Sequence, residues 1–161
     1  IQWLIDAGVI YKVTRVRSGE MPLSGFEDMD AFKLYTLDIG LHGAMARLEA
    51  SVIVDKNELF KQYKGALTEQ FVLQELQQLE EALIHYWPPD ESIAEMDFVI
   101  QYNGAVTPIE VKAEQNIKAK SIPVYIAQNH PARVIRTSLS PYHKGEKIED
   151  IPLYACLCLM R

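Results

Sequence analysis

Tyr102-Asn103-Gly104-Ala105 joins two stretches, residues 95–102 and 106–113, in which apolar and polar side chains alternate. Asn-Gly accepts the positive φ angles that a two-residue type I′ turn needs at both central positions, so the segment predicts a β-hairpin. A tight hairpin sets the register of everything behind it. With Asn103 and Gly104 as the loop, Phe98 faces Ile109, Met96 faces Val111 and Ile100 faces Thr107, an almost wholly apolar face. The other face then sets Asp97 opposite Glu110 and Glu95 opposite Lys112. Like charges directly opposed in a sheet destabilise it unless a cation or a shared proton compensates. Pro108 cannot donate to the ladder and is the one point where a bulge would shift this register by a residue.

The rest of the chain supplies helices and further strands. Residues 66–81 have helical periodicity: Val72, Leu73, Leu76 and Leu79 form one stripe, with Gln70, Gln74, Gln77 and Glu81 largely outside it. Glu69 precedes Val72, Leu73 and Leu76 by three, four and seven residues, which places an acid on the core-facing stripe. Ahead of that helix, residues 1–7 read as the end of a helix stopped by Gly8, followed by a strand over 9–16. Residues 18–30 read as a loop, 32–37 as a strand, and Asp38 as the cap of a short helix ending near residue 50. Beyond it, 83–87 is a strand stopped by Pro88 and Pro89, 120–128 a helix with Pro123 in its first turn, and 132–138 another strand. Residues 151–159 fit either a terminal helix or a strand. This order predicts an α/β fold with a mixed central sheet flanked by helices.

Composition narrows the class. With 161 residues, 48% of them hydrophobic and 24% charged, the chain can bury a core and is not a disordered or low-complexity sequence. Its longest apolar run, residues 151–160, is too short for a membrane-spanning helix. Cys156 and Cys158 are too close to bridge each other and too few for a zinc cage, which reads as buried packing in a reducing cytoplasm. His42, His85, His130 and His143 share no ligand spacing and read as surface or capping residues, and Trp87 as core at a strand end. The net charge of −6 hides a gradient: residues 1–110 carry −10, whereas residues 111–147 carry +5. Lys118, Lys120, Arg133 and Arg136 in that basic stretch are candidate contacts to a nucleic-acid backbone, or a solvated surface.

Glu69 from a helix and Asp97 and Glu110 from a hairpin are hard oxygen donors of the kind that suit Mg²⁺ or Mn²⁺. Phosphodiester hydrolysis fits such a site. The order Glu69, Asp97, Glu110-Val111-Lys112 also resembles the PD-(D/E)XK (restriction endonuclease-like) nuclease superfamily. More narrowly, several segments resemble the C-terminal domain of unknown function attached to prokaryotic AAA-type ATPases. They are Phe32-Lys33-Leu34-Tyr35, Leu37-Asp38-Ile39-Gly40-Leu41, Gly65-Ala66-Leu67-Thr68-Glu69-Gln70-Phe71-Val72, Tyr86-Trp87, Glu95-Met96-Asp97-Phe98, Pro108-Ile109-Glu110-Val111-Lys112-Ala113, Lys120-Ser121 and Ile151-Pro152-Leu153-Tyr154-Ala155. The resemblance implies a nuclease-like core over 31–161, preceded over 1–30 by the trailing edge of a winged-helix region. It also implies upstream ATPase and winged-helix modules in the same chain, through which the protein could assemble as an oligomer.

Carried over residue by residue, the resemblance implies that Asp97 and Glu110 ligate the metal and that Glu69 ligates it or orients a bound water. The carbonyl of Val111 would complete the shell, and Lys112 would position or polarise the attacking water. Three function classes follow: a Mg²⁺-dependent DNA phosphodiesterase, a non-catalytic DNA-binding or protein-interaction module that serves its ATPase, and a toxin-like or defence effector.

Overall fold

The structure, a computed structural model, describes residues 1–47, 58–89, 95–114 and 119–158. Eight strands form one mixed sheet in the order β2-β1-β3-β4-β5-β6-β8-β7. Along the chain these are β1 (Ile10–Val16), β2 (Glu27–Thr36), β3 (Leu83–Trp87), β4 (Met96–Tyr102), β5 (Ala105–Val111), β6 (Val134–Ser138), β7 (His143–Lys144) and β8 (Ile148–Pro152). The described helices are α1 (Gln2–Asp6), α2 (Ile39–Met45), α3 (Glu58–Leu76) and α4 (Ser121–Asn129). The expected α/β architecture, a mixed sheet with helices on its flanks, is what the chain adopts.

The hairpin forms as its turn dictates. Asn103 and Gly104 have φ of 50° and 72°, and the β4–β5 ladder runs from Tyr102–Ala105 through Val99–Pro108 to Phe98–Ile109 with no shift at the proline. It stops there. The expected pairs Met96–Val111, Asp97–Glu110 and Glu95–Lys112 are not part of the ladder: Met96 pairs instead with Trp87 of β3. The physical reason lies in Asp97, whose Oδ2 accepts the Val111 backbone N–H at 2.7 Å, so a side chain takes the donor that the ladder would have used.

The sheet is covered on both faces, and residue alternation sorts the cores except at Met96. Met96 was expected on the face of Phe98 and Ile100 but lies in the opposite core, because an extra β4 residue shifts the β3–β4 register between Val99 and Met96. On one side Val72, Leu73 and Leu76 of α3 pack with Val13, Tyr35, Tyr86, Phe98, Ile100, Ile109 and Ile135. On the other, Ile122 and Tyr125 of α4 pack with Val16, Leu23, Trp87, Met96, Val99 and Val134. Trp87 is core, as expected, with Tyr125 edge-on to it at 4.9 Å.

Several expectations need correction. The boundary drawn between 30 and 31 falls inside β2, and β1 lies between β2 and β3, so residues 10–16 and 27–30 belong to the sheet rather than to a preceding module. Residues 27–30 look like loop in sequence because three of the four are acids, which are depleted in strands, and the β1–β2 register shifts between Phe32 and Asp28. Helix α3 ends at Leu76 rather than 81; residues 77–82 continue in tight turns that include Leu79 N–H to Leu76 O at 3.0 Å. Residues 151–152 end β8, and a short turn follows over Leu153–Ala155.

Gln70, expected to face outward, is fully buried. Its amide accepts from the Thr36 N–H at 2.9 Å and donates to the Thr36 carbonyl at 2.8 Å, closing both polar groups at the end of β2. Helical periodicity separates apolar from polar faces, but it does not reveal that a strand end will supply a buried amide with partners. His85 departs in the same way: it is buried, with Nδ1 3.0 Å from the Thr14 hydroxyl. Cys156 is buried and Cys158 exposed.

The loop after β1 is pinned to α4. Gly19 N–H donates to Asn129 Oδ1 at 2.7 Å, and a Cβ at Gly19 would sit 2.9 Å from Cζ of the buried Tyr125. Tyr125 cannot retreat, being packed against Trp87. Gly19→Ala should therefore lower stability by about 1–3 kcal/mol. Gly25→Ala, with no heavy atom within 4 Å of the new carbon, should be close to neutral. Urea denaturation of the two variants checks the contrast.

Candidate active site

The site lies where β4 and β5 part. Glu69 projects from α3, between the apolar stripe and solvent, because it falls one helical turn before Val72 and Leu73. Glu110 lies between Ile109 and Val111, which face the α3 core, so its side chain points to the opposite, α4 side of the sheet. There Ser121, the first residue of α4, donates its hydroxyl to Glu110 Oε2 at 2.6 Å. Lys112 Nζ stands 2.5 Å from the other oxygen, Oε1. Glu110 is only 3% exposed, so both of its oxygens are held and shielded.

Asp97 feels both other acids. Burial pushes its carboxyl well above the usual carboxylate range, with Glu110 and Glu69 adding to the rise and the Val111 N–H opposing it. Glu69 is also raised, by burial and by Glu95, against the pull of Lys33 and a hydrogen bond from Tyr35. That bond runs from the Tyr35 hydroxyl to Glu69 Oε2 at 3.4 Å. Burial and the surrounding carboxylates raise the Tyr35 phenol so far that it stays a donor at any physiological pH.

Lys33 of β2 sits among these acids, 3.7 Å from Glu69 and in direct contact with Glu95. Burial pulls its pKa down, but Glu69, Glu95 and Asp97 outweigh that and hold the ammonium charged. Its Nζ also lies 5.1 Å from the centre of the Tyr86 ring. The lysine expected to neutralise Glu95 was Lys112; Lys33 does so instead, and Lys112 turns to Glu110.

Four carboxyl groups thus stand with two ammonium groups, so acids outnumber lysines in the cluster. Lys112 stands against Glu110, and the charges of Glu69 and Glu110 reach Asp97. The sequence assigned no role to Lys33, Tyr35 or Ser121. A lysine and a tyrosine two residues apart on a strand were the available signal, since that spacing puts both on one face. Among the described residues no three His, Cys, Asp or Glu side chains are already gathered closely enough to hold a metal ion.

The basic stretch is dispersed. Arg136 is directed to Asp150 at 2.6 Å and is 13% exposed; Arg133 lies 3.7 Å from Glu149. Lys120 is exposed just before α4, and Lys118 lies outside the described residues. The histidines have other partners: His130 caps α4 with φ of 47°, His143 stands 3.6 Å from Asp150 and His85 3.5 Å from Glu27. Burial and Glu75 push the Cys156 thiol up to about 11, which keeps it protonated and unreactive.

A family model described as a domain of unknown function, DUF4143, matches residues 64–156, more than half of the chain. The chain belongs to the DUF4143 family. Every member of the acid cluster except the β2 residues falls within the matched span. No curated protein and no solved structure matches the chain. None of the described helices is long and apolar enough to cross a membrane.

The crowded DUF4143 carboxylates make a signed prediction. Asp97 has a folded-state pKa above its unfolded value, so its ionised form destabilises the fold at neutral pH. Asp97→Asn keeps an oxygen for the Val111 N–H and should stabilise the metal-free protein by about 0.5–2 kcal/mol at pH 7. The gain should fade as the pH drops through the unfolded aspartate value of about 3.9, below which the wild-type side chain is neutral in both states. Denaturant melts across that pH range measure it.

Proposed function

We propose that this chain is a metal-dependent phosphodiesterase module of the PD-(D/E)XK kind that hydrolyses DNA. It would act in the cytoplasm as the C-terminal part of a prokaryotic AAA-type ATPase. The observation that carries the reading is a buried Asp97, held by the Val111 N–H and raised by the charges of Glu110 and Glu69, with Lys112 against Glu110.

The donor set fits a hard divalent cation in chemistry and in charge. All its ligands are carboxyl oxygens, and they outnumber the lysines beside them. Asp97 and Glu110 would hold Mg²⁺ or Mn²⁺, with Glu69 ligating or orienting a water. When bound, the ion supplies Lewis-acid polarisation of a phosphoryl oxygen and a more acidic water. The chain's own groups do the rest. The Val111 N–H and the Ser121 hydroxyl hold Asp97 and Glu110 in orientation, as outer partners of metal ligands do. Tyr35 anchors Glu69 as a donor. Lys112, against Glu110, would orient the attacking water and offset charge that develops on the phosphoryl oxygens.

A second reading, a non-catalytic DNA-binding or protein-interaction module of the same ATPase, is favoured by one observation. Lys33 and Lys112 already compensate part of the acidic charge without a metal. Plasmid nicking with Mg²⁺ or Mn²⁺, alongside isothermal titration of each metal, separates the two. The enzyme reading expects metal binding, cleavage by wild type, and a loss of about 100-fold or more in Asp97→Ala and Glu110→Ala. No metal uptake and no cleavage, with the upstream ATPase chain present, would sink it.

A further inference from the structure

Val13, Arg15 and Arg17 alternate with Thr14 and Val16 along β1 and its first flanking residue. Val13 lies in the α3-side core and Val16 in the α4-side core, so Arg15 and Arg17 share the face from which Glu69 approaches. Both guanidinium groups converge on one buried acid of β2: Arg15 contacts Asp28 Oδ2 directly, and Arg17 Nη2 lies 3.2 Å from the same oxygen. These two bonds hold the Asp28 carboxyl down at about 2, so it remains ionised and the trio keeps one net positive charge.

Arg17 is built to meet something outside. Its side chain is 70% exposed, and Asp28 engages only one nitrogen of a five-donor fork. Its backbone is nevertheless fixed, because its N–H donates to the Phe26 carbonyl at 3.0 Å and Gly19, two residues on, is pinned to Asn129. The cation is also next to the acids. Arg15 pairs in register with Tyr86 of β3, whose ring carries Lys33 above it, and Lys33 holds Glu69 and Glu95. Tyr86 thus stands between Arg15, its partner across β1 and β3, and Lys33, whose Nζ lies 5.1 Å from the ring centre.

An acidic cluster repels a polyanion and needs a cation beside it to seat one. We infer that Arg17, oriented with Arg15 by Asp28, is a phosphate-binding seat for the nucleic-acid backbone, next to the carboxylate cluster at the β1–β2 end of the sheet. It rests on the reading of the chain as a DNA-acting module. It assigns backbone contact to residues outside the basic stretch, where Arg136 is directed to Asp150. Planar two-pronged donors suit phosphate oxygens, and a contact to phosphate positions the duplex without reading its sequence.

The test is binding without cleavage: fluorescence anisotropy of a labelled duplex of about 30 base pairs in Ca²⁺, over a salt series. Arg17→Ala should weaken binding several-fold for every sequence tried and lower the slope of log K against log salt by about one. Arg17→Lys should restore the slope while recovering only part of the affinity. Lys144→Ala, an exposed lysine on β7 at the far edge of the sheet, should change neither by more than the general charge effect. Equal losses in Arg17→Ala and Lys144→Ala, or an unchanged slope in Arg17→Ala, overturn the seat. The two readings fail separately. Arg17-dependent binding with no Mg²⁺-dependent nicking keeps the seat and removes the hydrolase, whereas nicking by wild type with Arg17-independent binding removes the seat alone.

Discussion

The hydrogen bond from the Val111 N–H to Asp97 is the constraint on which the site depends. It takes the donor at the point where the β4–β5 ladder ends, so the two strands part there and a carboxylate occupies the gap. A buried acid accepting a backbone N–H is partly satisfied, but one bond does not repay the loss of water around a full charge. The remaining cost shows in the direction of the Asp97 pKa, raised by burial first and by its acidic neighbours second. A chain selected only for stability would place an apolar residue or an amide here. Retaining the acid, with Glu69 and Glu110 beside it, stores unfavourable electrostatics in the metal-free protein, and a bound cation would relieve them.

The scaffold around this gap is fastened more firmly than the gap itself. Helix α3 brings Glu69 to the site on a stripe of fully buried Val72, Leu73 and Leu76, and Gln70, its neighbour in sequence, locks the helix to Thr36 with paired amide bonds. Strand β2, held this way at its end, presents Lys33 and Tyr35 to Glu69. From the other side α4 brings Ser121 to Glu110, and its Tyr125 packs against Trp87 where β3 ends. Each acid is thus carried by a different rigid element, so their separation is set by helix–sheet packing and not by loop conformation.

Short-range signals account for what was legible in the sequence. Asn103-Gly104 encodes its own turn, and the register follows from it as far as Phe98–Ile109. The α3 stripe, and with it the position of Glu69, follows from a period of 3.6 residues. What was not legible depends on partners distant along the chain. Lys33 meets Glu69 and Glu95 only because β2 lies at the sheet edge and is joined to β3 through β1. The end of the ladder at Asp97 was hidden because alternation cannot show that a side chain will capture a backbone donor. Strands β7 and β8 lie in a polar segment with Pro141 and Gly145, where a two-residue edge strand leaves no periodicity to read.

Charge shows the same difference between order along the chain and order in space. The excess of basic residues over 111–147 suggests a cationic surface, yet parallel pairing of β6 with β8 sets Arg136 beside Asp150, while Arg133 reaches Glu149. Both acids lie just beyond the basic stretch in sequence, so a running sum of charge separates what the sheet joins. The acidic first part behaves in the opposite way. Three of its eight Lys and Arg residues, Arg15, Arg17 and Lys33, are gathered by β1 and β2 along the face that Glu69 approaches. Where cations gather is therefore decided by strand order, which sets Arg15, Arg17 and Lys33 near the carboxylates, and the net charge of −6 is no guide to it.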